Sequence, residues 1–296
     1  MALPQFDYLA PQTVEELLGA LTRYGERARI LAGGTDLVIL LRERLVQAEC
    51  LIDIGRLPSL RGIDYVHGQG LTIGAATRIR DLQRSAVIRD SYWALAQAAG
   101  ALGSTQIRDM ATLGGNCCNG SPAADTPPAL IALGATVRLA SERGRRELPL
   151  EDFILGVRKT ALAPDEFLES IQLPEAWPNS ASCYQYAGLR DAMEIDIANV
   201  AVNLAINPDT GTVTQVRIAM GAVGPTQLRA KTAESILLAR VPEAARIEEA
   251  AQACAAEARP IDDMRASAAY RRQVVVPLAR RTLTDAVAAI LQGVPS

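Results

Sequence analysis

Two glycine pairs constrain this chain more than any other feature. One lies in "ILAGGTDL" (residues 30–37), the other in "ATLGGNCCNGSPAAD" (residues 111–125). Each follows an apolar lead-in and precedes small polar residues. Paired glycines permit positive φ and close backbone approach. Their N–H groups, backed by a helix start, can form a nest for an anion such as a pyrophosphate. A single pair of this kind reads most simply as a tight turn. Two with the same grammar, roughly 80 residues apart, fit a ligand with two phosphates and two ribose ends. Thr35, Thr112 and Asn116 add hydroxyl and amide donors, and Asp125 adds an acceptor suited to a ribose hydroxyl. Neither stretch matches G-x-G-x-x-G or the P-loop pattern, which disfavours a Rossmann or P-loop reading.

The two pairs sit in a chain of 296 residues, a length that suits two or three domains. Hydrophobic residues make up 49% of it, enough for a substantial core. The net charge of −3 gives no reason to expect nucleic acid or an anionic membrane as partner. No apolar run reaches the length of a membrane span, and the N-terminal stretch lacks the pattern of a secretory signal. Five scattered cysteines, an odd count, fit a reduced, cytoplasmic protein. With His67 as the one histidine, a His-rich metal site is excluded and a Ser-His-Asp triad depends on that residue alone. His67 lies in "VHGQG" and reads as an exposed turn residue. No metal site is expected.

Local signals outline the elements. "TVEELLGALTRYG" (13–25) is a helix, with Thr13 and Glu16 as a capping box and Gly25 as its stop. A strand over 29–33, a helix over 36–45 and a strand over 50–54 make a small parallel unit. Hairpins follow over 60–77 and 135–150, with helices over 90–103 and 127–133 and a strand over 166–173. The Pro-, Asn- and Ser-rich stretch 173–182 reads as a domain boundary. Beyond it come a three-stranded antiparallel sheet and, from about 231 to 290, helices. Cys117 and Cys118 admit two readings, a vicinal redox pair or small packing residues behind the second glycine pair. Cluster ligation needs four suitably spaced cysteines, so packing is favoured. Arg108 and Asp109 either pair across the base of this stretch or face a partner.

"LAGGTDLVILLRERL", "STQIRDMATLGGNCCNGSPAADTPPALIALGA", "LRDAMEIDIANVAV" and "RIAMGAVGPTQLRA" resemble the FAD-binding medium subunit of molybdenum hydroxylases, the xanthine dehydrogenase and carbon monoxide dehydrogenase family. The resemblance covers nearly the whole chain. It implies an α+β architecture: a vanillyl-alcohol-oxidase-type (PCMH-type) FAD-binding domain over 1–176, with subdomains at about 1–56 and 57–176, then a C-terminal α+β domain over 177–296. By position it implies FAD contacts from Arg29, Ile30, Leu31, Ala32, Gly33, Gly34, Thr35 and Asp36 in the first stretch. Thr112, Gly114, Gly115 and Asn116 follow in the second, with Asp125 on the adenosine ribose. Leu102 and Leu168 match positions that touch the flavin or its ribityl chain. A lysine usual in the family falls here on Gln185 or Tyr186.

The resemblance further implies an oxidoreductase subunit that carries FAD and transfers electrons, with no catalytic side chain of its own. Molybdopterin would sit on a large partner chain and [2Fe–2S] clusters on a small one, in a dimer of heterotrimers. The acceptor would be NAD, oxygen or a quinone, and "RDAM" points to the xanthine dehydrogenase branch. The rival readings are a self-contained FAD oxidase or reductase of the same fold and an assembly module that has lost its flavin.

Overall fold

The computed structural model describes residues 3–190 and 193–293. Asp191 and Ala192, the middle of "RDAM", lie outside the described residues. The first unit contains β1 (Asp7–Leu9), α1 (Val14–Tyr24), β2 (Ala28–Leu31), α2 (Leu37–Arg42) and β3 (Cys50–Asp53). Its strands form a parallel sheet in the order β1-β3-β2. The local signals of α1 work as chemistry. Thr13 Oγ1 accepts from Glu16 N–H at 3.2 Å, and Gly25 ends the helix at φ 52°. The Glu16 carboxylate reaches back one residue further than a standard capping box, to Gln12 N–H at 2.7 Å. Leu17 and Leu21 then pack with Cys50 and Ile52 into a small core that also takes Phe167 from the next unit.

The second unit runs through β4 (Ile63–Val66), β5 (Gly70–Gly74), α3 (Ile79–Arg84), α4 (Ala86–Ser91), α5 (Trp93–Ala101), α6 (Thr105–Met110), α7 (Leu113–Cys118) and α8 (Thr126–Ala132). It continues through β6 (Thr136–Ser141), β7 (Gly144–Pro149), α9 (Leu150–Phe153), β8 (Ile154–Gly156), β9 (Lys159–Thr160) and β10 (Phe167–Leu173). Both expected hairpins are present, β4-β5 and β6-β7. They are joined by β10, which pairs antiparallel with β5 on one side and β6 on the other. The result is a five-stranded sheet, β4-β5-β10-β6-β7. The helix expected over 90–103 is divided: Tyr92, with ψ 47°, separates α4 from α5.

The third unit holds β11 (Ser180–Ala187), β12 (Ala198–Ile206), β13 (Val213–Gly221), β14 (Leu228–Arg229), α10 (Lys231–Leu237), α11 (Ala244–Glu257) and α12 (Ala268–Leu291). The antiparallel sheet gains a short fourth strand, β14, beyond the three that the sequence predicts. This sheet is a middle layer. Side chains alternate along a strand, so each strand serves both faces. Tyr184, Ala201 and Ala219 face the core shared with α5 and α8. Their neighbours Cys183, Val200, Val202, Ile218 and Met220 face α10, α11 and α12. All nine residues of β12 are buried, as expected of a strand covered on both faces. Apolar contacts across this layer pack the third unit against the second.

Candidate functional site

The two glycine pairs meet. A Cβ added to Gly33 would lie 2.0 Å from the carbonyl oxygen of Met110 and 2.9 Å from Ala111 Cα. No side chain fits there, so glycine lets the β2–α2 turn touch the backbone that leads into the second pair. Gly34 follows at φ +73°, a left-handed conformation that favours glycine. The second stretch is pinned from behind. Ile79 N–H donates to Ala111 O at 2.9 Å, Leu113 N–H to Thr77 O at 3.0 Å, and Gly114 N–H to Ala75 O at 2.9 Å. Here the structure adds something the sequence did not show. Gly114 and Gly115 lie in the first turn of α7 rather than in an open loop. Thr112 caps that turn, its Oγ1 accepting from Gly115 N–H at 3.1 Å.

Between the two stretches lies a cleft of about 530 Å³. Arg29, Ile30, Ala32, Gly33, Gly34, Thr35, Asp36, Leu102, Thr112, Gly115, Asn116 and Asp125 all line it. Five of the expected residues do not. Leu31 faces back toward Gly34 within β2 and its turn. Gly114 is buried against Ala75, whose Cβ and carbonyl oxygen would each lie 2.7 Å from an added Cβ. Leu168 is in the core of the five-stranded sheet. Gln185 and Tyr186 point to opposite faces of β11. Gln185 Nε2 donates to Asp285 of α12, and Tyr186 lies beside Tyr184 with ring centroids 6.3 Å apart.

The cleft also takes residues that the sequence did not single out. Arg158 comes from the β8–β9 turn, which docks on the chain after α7 through Arg158 N–H to Gly120 O at 2.9 Å. Glu194 and Ile195 come from the segment between β11 and β12, so the third unit forms part of the wall. A basic residue in a short hairpin turn is too common a signal to mark Arg158 beforehand. Glu194 stood inside the "RDAMEID" stretch, whose resemblance pointed toward the cleft without naming it.

Among the described residues, the N–H groups of Gly33, Gly34 and Thr35 have no internal acceptor. These donors suit phosphate oxygens. Asn116 is oriented by its neighbour: its Oδ1 accepts from Thr126 Oγ1 at 2.6 Å, which leaves the amide nitrogen to face a ligand. Burial raises the Asp36 carboxyl, and the nearby Arg158 charge opposes that rise. Asp125, half-buried where it lines the cleft, is the outer member of a chain of polar groups whose other members are buried. The Tyr184 hydroxyl lies 3.2 Å from Asp125 Oδ1 and 3.0 Å from Asp196 Oδ2, and Asn199 Nδ2 donates to the same Asp196 oxygen at 2.7 Å.

Cys117 is fully buried, and Cys118, half-buried, lines the cleft. Burial pushes the Cys118 thiol up to about 12 and Cys117 higher still, so both are protonated and unreactive near neutral pH. No group of three or more metal-ligating side chains occurs among the described residues. No helix among them is long and apolar enough to cross a membrane. His67 is an exposed turn residue, with Nδ1 3.2 Å from Glu175. Arg108 and Asp109 do not pair with each other. Asp109 binds Arg80, and Arg108 donates to the carbonyls of Leu102 and Gly103 at the end of α5.

The cleft between the parallel and the antiparallel unit, lined by two glycine motifs and by Glu194 and Ile195 of the third unit, suits a dinucleotide and is neither a Rossmann nor a P-loop site. Residues 4–176 match the family model described as the FAD-binding domain in molybdopterin dehydrogenase, and residues 182–286 match the CO dehydrogenase flavoprotein C-terminal domain. The chain belongs to the family of FAD-binding medium subunits of molybdenum hydroxylases, oxidoreductases by class. It is 33% identical to the carbon monoxide dehydrogenase medium chain of Hydrogenophaga pseudoflava, over 97% of this chain and 98% of that one. It is 29% identical to the xanthine dehydrogenase FAD-binding subunit of Escherichia coli O157:H7, over 96% and 98% of the two chains. The solved H. pseudoflava carbon monoxide dehydrogenase lacking the Mo-pyranopterin moiety superposes with a TM-score of 0.93 at 34% identity, covering 97% of this chain and 99% of that one. Quinoline 2-oxidoreductase from Pseudomonas putida 86 superposes with a TM-score of 0.91 at 26% identity, covering 98% and 100%.

Proposed function

We propose that this chain holds FAD in the glycine-lined cleft and serves as the electron-transfer subunit of a cytoplasmic, multi-subunit molybdenum hydroxylase. The observation that carries this reading is the meeting of the two glycine motifs at one cleft with unpartnered amides. Gly33, Gly34 and Thr35 would bind the pyrophosphate, assisted by Thr112 and Asn116. Asp125 would take the adenosine ribose. Leu102 would contact the ring system or its ribityl chain. FAD, when bound, supplies the exchange between one-electron arrivals and two-electron delivery. This chain's residues bind it, orient it and shield it from water. In this reading no side chain here acts as acid or base toward a substrate.

Substrate would be oxidised at a molybdopterin centre on a large partner chain. Electrons would come through [2Fe–2S] clusters on a small one and leave to NAD, oxygen or a quinone. We place the assembly as a dimer of heterotrimers, nearest in kind to the xanthine dehydrogenase branch. That branch assignment leans on "RDAM". Relatives named for carbon monoxide and for xanthine, at 33% and 29% identity, stand at similar distances. The absorbance spectrum and mass spectrometry of the complex isolated by a tag on this chain test the reading. Flavin, molybdenum and iron are expected together with a large and a small chain. A flavin-free product, or a hydroxylase active as this chain alone, overturns it.

A further inference from the structure

We propose that Asp125 is a neutral carboxylic acid at physiological pH, and that Tyr184 and Asp196, from the third unit, are positioning residues that keep it so. Hydrogen counting carries the argument. One phenolic proton lies between two carboxyl groups, 3.2 Å from Asp125 Oδ1 and 3.0 Å from Asp196 Oδ2. It can serve one of them. Asp196 has a second donor, Asn199 Nδ2 at 2.7 Å, so Asp196 is the better stabilised anion. Asn199 is itself fully buried, and its Oδ1 has no partner among the described residues. Among the described residues, Asp125 has, besides Tyr184, only its own backbone N–H.

A second ionised carboxylate beside the buried Asp196 would set two like charges around one phenol, with Asp125 itself half out of water, which is unfavourable without a cation. Among the described residues no cation is paired with either acid. A proton on Asp125 Oδ1 resolves the conflict. Asp125 then donates to Tyr184 Oη and Tyr184 donates to Asp196, so both O–H protons have an acceptor. The other oxygen of Asp125, Oδ2, is then an uncharged acceptor, and Asp125 itself lines the cleft.

The surroundings agree. Burial is the leading cause that raises both carboxyls, and for Asp125 the charge of Asp196 adds to it. Tyr184 is raised well above the usual phenol range, again mainly by burial, and so keeps its proton. From α7, Cys117 and Cys118 face this region as neutral thiols. From the segment before β12, Glu194 is paired with Arg190 at 2.9 Å. Arg29, Asp36 and Arg158 line the same cleft, and none of them is among the charges that act on Asp125. From α5, the uncharged Gln97 accepts from Tyr184 N–H. Arg271 of α12 is engaged by Ile197 O, Ala222 O and Asp263 rather than by Asp196.

A neutral acid lets an anionic dinucleotide approach without repulsion. That consequence rests on the reading that FAD occupies the cleft, whereas the protonation does not. The full chain without added FAD tests the protonation. An aspartate whose pKa is raised by folding stabilises the fold at low pH, and that stability is lost as pH rises through the folded value. The melting temperature of the wild type should therefore fall relative to Asp125→Asn as pH rises from about 5.5 to 9. Parallel curves overturn the proposal. Aspartate-labelled 13C NMR of the wild type needs no variant to fold. One carboxyl should titrate above neutral pH, and full ionisation of all aspartates by about pH 6 overturns the proposal. Asp196→Asn should move that titration down, a shift that a merely structural role would not produce; an unmoved titration removes Asp196 from the scheme. In FAD titrations the wild-type dissociation constant should rise by up to about tenfold per pH unit once the acid ionises. The Asp125→Asn constant should stay flat. If FAD fails to bind at any pH, the cofactor reading falls while melting and NMR still decide the protonation.

Discussion

The two glycine pairs look alike as sequence and do different work in the fold. Gly33 and Gly34 form an open turn. Its backbone comes within reach of Met110 and Ala111, and among the described residues its amides have no internal partners. Gly114 and Gly115 form the first turn of a capped helix, where Gly114 solves a packing problem against Ala75 and Gly115 faces the cleft. Both pairs let backbone come close, at Met110 for the first and at Ala75 for the second, and the first also turns its amides away from internal partners. A shared dipeptide therefore says where backbone must come close, and not what it comes close to.

Substitution at Gly33 should have the largest effect. A Cβ there meets a carbonyl oxygen at 2.0 Å, and backbone on both sides has to move. Gly33→Ala should cost about 1–3 kcal/mol, the usual range for overpacking, and should abolish flavin retention because the cleft wall shifts. Melting temperature and flavin content measured on the same preparation check both. Gly114→Ala should be milder. Its nearest contacts are 2.7 Å away and include the Ala75 methyl. Adding Ala75→Gly should restore part of the loss, since the methyl goes and the carbonyl stays. Ala75→Gly should bring no recovery to Gly33→Ala. Equal losses from the two single variants, both rescued by Ala75→Gly, would erase the contrast.

What the sequence made legible was local chemistry. Thr13, Glu16 and Gly25 mark α1 because a cap needs only neighbours in sequence. The β4-β5 and β6-β7 hairpins were visible for the same reason. The position of β10 between them was not, because strand pairing across such separations leaves no local signal. The cleft follows the same division. Twelve of the seventeen residues named from the sequence line it, and most of them lie in the two glycine stretches or beside them. Arg158 and Glu194 reach it through long-range docking of a hairpin and of the third unit. Gln185 and Tyr186 show the limit of transfer by position along a strand. Alternation sends adjacent residues to opposite faces, and Gln185 is committed to Asp285 on the helical side.

Thr112 is the next step down. Its hydroxyl caps α7, so Thr112→Ala should cost about 1 kcal/mol, while Thr112→Ser keeps the oxygen and most of the stability. Thermal melts of the two variants separate capping from side-chain bulk. If alanine and serine are equally damaging, the cap is not what holds this turn, and the helical account of the second glycine pair fails.

The smallest effect belongs to the residues that first catch the eye in that stretch. Cys117 sits in the core of the second unit and Cys118 at the cleft edge, and burial keeps both thiols protonated. Removing one buried sulfur should cost about 0.5–1 kcal/mol, near the low end for deletion of a small apolar group. Cys117→Ala/Cys118→Ala should therefore keep its flavin and its rate of flavin reduction in the assembled complex, with only a modest drop in melting temperature. The comparison of the two glycine pairs depends on this outcome. If the double variant lost flavin while Thr112→Ala kept it, the second stretch would act through its sulfurs. The helical turn of Gly114 and Gly115 would then be their scaffold rather than the wall of the cleft.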